Sequence, residues 1–229
     1  MTLSYRFPCA PAAVLFDLDG TLIDSAPDLA AAVNYLRVQR DLLELPLVQL
    51  RPYASHGARG LIGAGLGVVP EDADFEQLRT AFLDYYEAHS SVRTLVFSGM
   101  EAVLSLLEQR QIPWGIITNK HTRFTRPVVH ALGLDQRASV IVSGDTTAHA
   151  KPHPAPMIYA AESLGLLPEQ LIYVGDDARD IEAARAAGYM SALAAAYGYC
   201  QPDEVAQWRA DAILAQPSDL LTLFTQQIA

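Results

Sequence analysis

Two acidic groups stand far apart in the chain. Asp17 and Asp19 lie two positions apart in Asp17-Leu18-Asp19-Gly20-Thr21, and Asp176, Asp177 and Asp180 crowd together after Gly175. Like charges a few ångströms apart raise one another's pKa, so such crowding is costly unless a cation shares the space. Oxygen donors with no Cys or His among them suit a hard cation, most simply Mg²⁺. Between the acids lie Thr118 and Lys151. Lys151 offers a point charge to phosphate oxygens and can keep a neighbouring Asp ionised, and Pro152 biases it away from helix. Thr118 offers a hydroxyl donor, joined by the backbone amides of Leu18 to Thr21 and of Asn119. Such a set suits a phosphoryl group. One carboxylate would attack it to form an aspartyl-phosphate, and a second, two residues on, would protonate the leaving oxygen and later activate water.

These groups can meet only if several strand ends converge, because an open parallel sheet binds its ligands outside the carboxyl ends of its strands. Apolar runs supply the strands. Residues 12–16 end at Asp17, 112–117 end at Thr118, and 171–174 end at Gly175-Asp176. Residues 139–143 precede the loop that carries Lys151, and 190–196 and 212–214 are weaker candidates. Nearly continuous apolar runs mark strands buried on both faces. Met100, Val103, Leu104 and Leu107 share one helical face, and 126–132, 156–164 and 181–187 read as helices stopped by Gly133, Gly165 and Gly188. The alternation predicts an α/β fold, a doubly wound (Rossmann-like) parallel sheet. Residues 26 to about 95 break that rhythm, since 29–33 and 75–89 look helical with no convincing strand between them. The prediction is a core from residues 12–25 plus 96–229, with an inserted all-helical cap domain over 26–95. A chain of 229 residues has room for both, at roughly 150 residues per domain.

The ordered set Asp17-x-Asp19-Gly20-Thr21, Thr118, Lys151-Pro152 and Gly175-Asp176-Asp177-x-x-Asp180, at spacings of 101, 33 and 25 residues, resembles the four motifs of the haloacid dehalogenase-like phosphohydrolases. That resemblance implies Asp17 as nucleophile and Asp19 as general acid/base, with Thr118 and Lys151 holding the phosphoryl group. It implies Mg²⁺ held by Asp17, the backbone carbonyl of Asp19, Asp176 and Asp180 (as a ligand or just behind one), and a helical cap that closes over the site. The stretches Thr21 to Asp28, Ser55 to Gly60 and Thr118-Asn119-Lys120 are similar to the phosphoglycolate phosphatase group. A branch acting on N-acetylmuramic acid 6-phosphate shares the Gly-Ala-Arg element and the run from Trp114 to Lys120. The expected partner is a small phosphorylated metabolite, most simply 2-phosphoglycolate, with N-acetylmuramic acid 6-phosphate, another sugar phosphate or a phosphomutase reaction as alternatives. Substrate contacts are expected from Thr118, Asn119, Lys120 and Lys151 in the core and from Ser55, His56 and Arg59 in the cap. Arg59 could grip a substrate carboxylate with both arms of its guanidinium.

Other readings are weaker. A dehalogenase would not need Asp19 as a proton donor, and a phospho-acceptor switch would need neither the Asp17-x-Asp19 pair nor the helical insertion. Gly60, Gly63, Gly65 and Gly67 follow no strand, which argues against a dinucleotide site. His149 and His153 lie in a Pro-rich stretch, a poor frame for zinc. Tyr85, Tyr86, Tyr197 and Tyr199 read as packing or cap contacts. The formal charge of −10 disfavours nucleic acid and anionic lipid as partners but says nothing against a small anion in a local pocket. No apolar run approaches the roughly 20 residues of a membrane span, and Met1 to Pro11 lack a secretory h-region. Two cysteines, Cys9 and Cys200, suggest thiols in a reducing cytoplasm rather than a disulfide framework. No pattern specifies an oligomeric state.

Overall fold

A computed structural model of the chain describes Tyr5, residues 11–188 and residues 190–227. The strands are β1 (Ala13–Phe16), β2 (Ile23–Asp24), β3 (Leu95–Val96), β4 (Trp114–Ile117), β5 (Val140–Val142), β6 (Leu171–Gly175), β7 (Ser191–Ala195) and β8 (Ala212–Leu214). The helices are α1 (Ala26–Val38), α2 (Leu47–Leu50), α3 (Gly57–Leu66), α4 (Phe75–His89), α5 (Met100–Gln109), α6 (Thr122–Ala131), α7 (Ala155–Leu164), α8 (Ala178–Ala186), α9 (Pro202–Val205) and α10 (Asp219–Gln227). Short 3₁₀ turns run over Arg51–His56 and Pro168–Gln170.

Among the described residues, six strands form one sheet in the order β5-β4-β1-β6-β7-β8, every pair parallel. Each expected strand is present. The apolar runs are continuous because both faces of the sheet are covered. Along β1, Val14 and Phe16 enter one core with Trp114, Ile116, Ile172 and Val174, under α5, α6 and α10. Ala13 and Leu15 enter the opposite core with Tyr173, Met157 and Ile181, under α7 and α8. Successive strand residues point to opposite faces, so a strand buried on both sides needs apolar residues at every position. The order leaves β1 between β4 and β6, so the connections leaving β1 and β6 run to opposite sides and the switch point of the sheet lies between their carboxyl ends.

Two short strands escaped the sequence reading. β2 and β3 pair antiparallel, Ile23 with Val96 and Asp24 with Leu95, and carry the chain into and out of the helices between them. Two-residue strands are too short to show a period. Helix α6 also starts earlier than expected, at Thr122, although Pro127 lies inside it. Its first turn is tied down by Thr125, whose hydroxyl is shared between the carbonyls of Lys120 (2.9 Å) and His121 (3.1 Å). Helix α8 starts at Ala178 rather than Ile181, because Asp177 caps it and Asp180 returns a bond to the Asp177 amide.

Helices α1, α3 and α4 pack round a third apolar cluster that includes Val33, Leu36, Leu61, Ile62, Phe82 and Tyr86. Cys200 is half-buried and unpaired, and Cys9 lies outside the described residues. His149 and His153 sit in a turn before α7 with their rings 4.4 Å apart and tilted. No described helix is long and apolar enough to cross a membrane.

Candidate active site

At the carboxyl end of β1 the Asp17 amide still donates to the Val174 carbonyl (2.8 Å), so the Asp17 side chain leaves the sheet at a fixed point. The chain then turns tightly. The amides of Leu22 and Ile23 both return to the Leu18 carbonyl at 3.0 Å, and Gly20 adopts φ +89°. Only glycine suits that turn, both for its positive φ and because a Cβ there would run into the Asp176 carboxylate.

Lys151 is the electrostatic centre. Its Nζ lies 2.8 Å from Asp17 Oδ1, 2.7 Å from Asp180 Oδ1, 2.7 Å from the Tyr173 hydroxyl and 2.9 Å from the Ile117 carbonyl. Burial pushes the Lys151 ammonium down, but the charges of Asp17 and Asp180 outweigh it and hold the group protonated. Its backbone is fixed by Asn119, whose side-chain amide donates to the Lys151 carbonyl (2.8 Å) and accepts from the Lys151 amide (2.9 Å). Asn119, expected at the substrate, lines the cavity at this site and uses its side-chain amide to position Lys151.

Asp17, Asp176 and Asp180 each offer a carboxylate oxygen, and these lie within 4.8 Å of one another. Burial, more than it is offset by Lys151, pushes Asp17 up to about 7, with Asp180 adding to the rise. Burial and then the charges of Asp17 and Asp180 hold Asp176 well above the usual carboxylate range. One lysine does not balance three buried carboxylates. A cation shared by their oxygens removes that mismatch, and an all-oxygen donor set suits a hard divalent ion. The residues fit a metal.

Asp19 faces elsewhere. Lys120 Nζ donates to both its oxygens, at 2.8 and 2.9 Å, and the Ser25 hydroxyl donates to Oδ1. Lys120, expected to reach substrate, lines the same cavity and grips Asp19, and its ammonium lies 4.8 Å over the Tyr86 ring from α4. Thr118 is buried, and its oxygen accepts from the Lys120 amide (3.1 Å), which leaves its hydroxyl proton for a ligand.

A cavity of about 610 Å³ lies between these groups and the helices above them. Asp17, Asp19, Thr118 and Lys151 line its floor, and Ser55, His56 and Arg59 line its helical wall. His56 and Arg59 are exposed on that wall. Ser55 is turned toward the core, its hydroxyl donating to Asp176 Oδ2 (3.2 Å).

Sequence reasoning passed over Tyr173 and underrated Tyr199. Tyr173 sits in an apolar run, where its ring reads as core, yet a buried phenol must find partners for its hydroxyl. It finds Lys151, the Ile117 carbonyl (2.9 Å) and Asp180 Oδ1 (3.1 Å). Tyr199 donates its amide to Asp176 Oδ2 (2.9 Å), and its hydroxyl accepts from the amides of Ser25 (2.7 Å) and Ala26 (3.0 Å). Tyr85 and Tyr197 are packing residues, stacked on Tyr35 and edge-on to Phe97 respectively.

Residues 14–194 match the model of a family described as haloacid dehalogenase-like hydrolase. The chain is 44% identical over 211 residues to a phosphoglycolate phosphatase of Xanthomonas campestris pv. campestris, covering 92% of this chain and 95% of the relative. It is 37% identical over 217 residues to an N-acetylmuramic acid 6-phosphate phosphatase of Pseudomonas aeruginosa, covering 94% of this chain and 96% of the relative. The crystal structure of a predicted phosphoglycolate phosphatase from Haemophilus somnus superposes with a TM-score of 0.82 at 28% identity, covering 94% of this chain and 99% of that one.

Proposed function

The chain belongs to the haloacid dehalogenase-like hydrolases, and on that premise we propose that it is a Mg²⁺-dependent phosphatase that cleaves a small phosphomonoester through an aspartyl-phosphate on Asp17. The observation that carries this reading is the Asp17 carboxylate, buried beside Lys151 Nζ at 2.8 Å and within reach of Asp176 and Asp180.

In the first step an Asp17 oxygen attacks phosphorus, an O–P bond forms, and the bond from phosphorus to the leaving oxygen breaks. Asp19 gives its proton to that oxygen, so the alcohol leaves neutral. Thr118 donates its hydroxyl, and Lys151 its charge, to the phosphoryl oxygens. In the second step Asp19 takes a proton from water, which attacks the phosphoryl group and releases Asp17 and inorganic phosphate. Asp17, Asp176, Asp180 and the Asp19 carbonyl would hold Mg²⁺, whose charge offsets that of the phosphoryl group. Residues 26–95 act as the cap over residues 12–25 plus 96–229 and exclude water during transfer. A cytoplasmic location belongs to the same reading and rests on cysteine usage.

The substrate is 2-phosphoglycolate. In support, exposed Arg59 and His56 line the wall opposite the catalytic floor, where a carboxylate of the leaving group would arrive, and relatives carry that activity in their names. The cavity favours a second reading. A volume of about 610 Å³ exceeds the needs of a two-carbon acid and accommodates a sugar such as N-acetylmuramic acid 6-phosphate.

The test is kcat/KM for both phosphates with Mg²⁺, in the wild type and in Asp17→Asn and Arg59→Ala. Asp17→Asn should lose activity by on the order of 10⁴-fold or more on either substrate. Arg59→Ala should raise KM for the carboxylate-bearing substrate above its effect on p-nitrophenyl phosphate. Full activity in Asp17→Asn sinks the mechanism, and equal effects of Arg59→Ala on the carboxylate-bearing substrate and on p-nitrophenyl phosphate deny Arg59 a contact with the substrate carboxylate.

A further inference from the structure

Asp176 differs from the other two carboxylates of the cluster. Among the described residues it is the one that accepts a hydrogen bond from the helical unit. Its Oδ2 accepts from the Tyr199 amide at 2.9 Å on the core side and from the Ser55 hydroxyl at 3.2 Å on the helical side. A carboxylate oxygen has two lone pairs, so these donors saturate Oδ2 and leave Oδ1 to serve the cluster. Thr21 Oγ1 lies 3.4 Å from Oδ1. The orientation of this carboxylate therefore depends in part on a residue of the helical insertion.

Ser55 is held at its other end too. Its carbonyl accepts from Arg179 Nη2 at 2.9 Å, and Arg179 is gripped by Asp177 through Nε (2.7 Å) and Nη2 (2.8 Å). Asp177 and Arg179 flank the start of α8, the same turn that carries Asp176 and Asp180. Two bonds thus cross from one residue of the 3₁₀ turn Arg51–His56 to one acidic loop of the core.

We propose that Ser55 is a positioning residue for the metal ligand Asp176, and that through it closure of the helical unit and cation binding are thermodynamically linked. The inference rests on the reading of Asp176 as a ligand. With Ser55 in place the carboxylate is fixed from two sides; with the helical unit withdrawn, Oδ2 keeps a single donor and the group is freer to rotate. Partners behind a metal ligand typically change affinity by 10- to 100-fold. Reciprocity requires that the cation favour closure by the same factor that closure favours the cation.

The experiment titrates Mg²⁺ into the full-length protein by calorimetry, comparing wild type, Ser55→Ala, Ser55→Thr and Asp176→Asn, and follows amide exchange over residues 51–66 with and without Mg²⁺. Ser55→Ala should weaken Mg²⁺ binding by about 10- to 100-fold, and Ser55→Thr, which keeps the hydroxyl, should stay close to wild type. Mg²⁺ should slow exchange over residues 51–66 in the wild type and leave it unchanged in Ser55→Ala. Wild-type affinity in Ser55→Ala, or a loss in Ser55→Thr as large as that in Ser55→Ala, overturns the linkage while Asp176→Asn still reports on the ligand itself. A wild type that takes no Mg²⁺, or an Asp176→Asn variant that binds as tightly as wild type, overturns the ligand reading and this inference with it.

Discussion

The Lys151 ammonium has three protons and four oxygen neighbours, so one neighbour must do more than accept. The Tyr173 hydroxyl resolves the count by accepting from Lys151 and passing its own proton to the Ile117 carbonyl or to Asp180. This arithmetic separates two substitutions. Removing the phenol in Tyr173→Phe leaves three acceptors for three protons, so the loss should be about 0.5–1.5 kcal/mol, the value of one net hydrogen bond. Removing the ammonium in Lys151→Met strands buried carboxylates without their charge partner, and the loss should be about 3–5 kcal/mol. Denaturant unfolding with excess chelator measures both. Equal losses would deny Lys151 its place as the charge that makes the cluster tolerable. Asp17 was legible in the sequence from its place at a strand end, and Lys151 from the Lys-Pro in the loop that follows a strand. Tyr173 was not, since a tyrosine in an apolar strand looks the same whether its hydroxyl is used or merely tolerated.

Elements carry a second set of consequences. The end of α5 and the start of β4 are joined by Glu108, which accepts from Trp114 Nε1 (3.1 Å) and from Arg137 Nε (2.9 Å), while Arg137 also reaches Glu101. The Arg137 guanidinium, against a small burial penalty, holds the Glu108 carboxyl below its usual range. A carboxyl depressed in the folded state contributes its stability fully above the unfolded value, about 4.3, and loses it as pH falls through the folded value. Arg137→Met should therefore be less stable than wild type at pH 7, by at most about 1 kcal/mol for a solvent-screened pair. The difference should shrink toward zero below about pH 4, as followed by thermal unfolding against pH; a gap unchanged at acid pH would remove Glu108 from the account. The four central strands β4, β1, β6 and β7 were readable because both their faces are buried, which favours apolar residues at every position, whereas the edge strands β5 and β8 are partly exposed. β2 and β3 were not, because two residues carry no period and their pairing depends on segments some 70 positions apart in the chain.

Across the whole molecule, two apolar clusters of the described residues flank the sheet and a third lies mainly among the helices of residues 26–89, joined by Tyr199 from the other part of the chain. If that third cluster is a core in its own right, damage to it should stay local. Leu61→Ala, at a side chain 1% exposed, should cost about 2–5 kcal/mol and speed amide exchange through α1, α3 and α4 while the β1, β4 and β6 amides keep their protection. Exchange that quickens equally in the sheet would show one cooperative unit instead of a cap and a core. The net charge of −10 takes its local meaning at this scale. Several acids gather at one point of the sheet, where Lys151 and Lys120 offset part of their charge and, in the proposed mechanism, a cation would offset more.

The sequence by itself determined the class of enzyme and the class of fold. Both are written in short-range patterns: apolar runs that must be strands, glycine stops that must end helices, and Asp and Thr placed directly after those strands with a Lys-Pro in a following loop. Tertiary structure alone decided how the groups share their bonds. It put Asn119 behind Lys151, turned Lys120 onto Asp19, joined Tyr173 to the lysine, and brought Ser55 across from the helices to Asp176. A hydrogen bond is set by the direction and distance between side chains far apart in the chain, and no local spacing in a sequence encodes either.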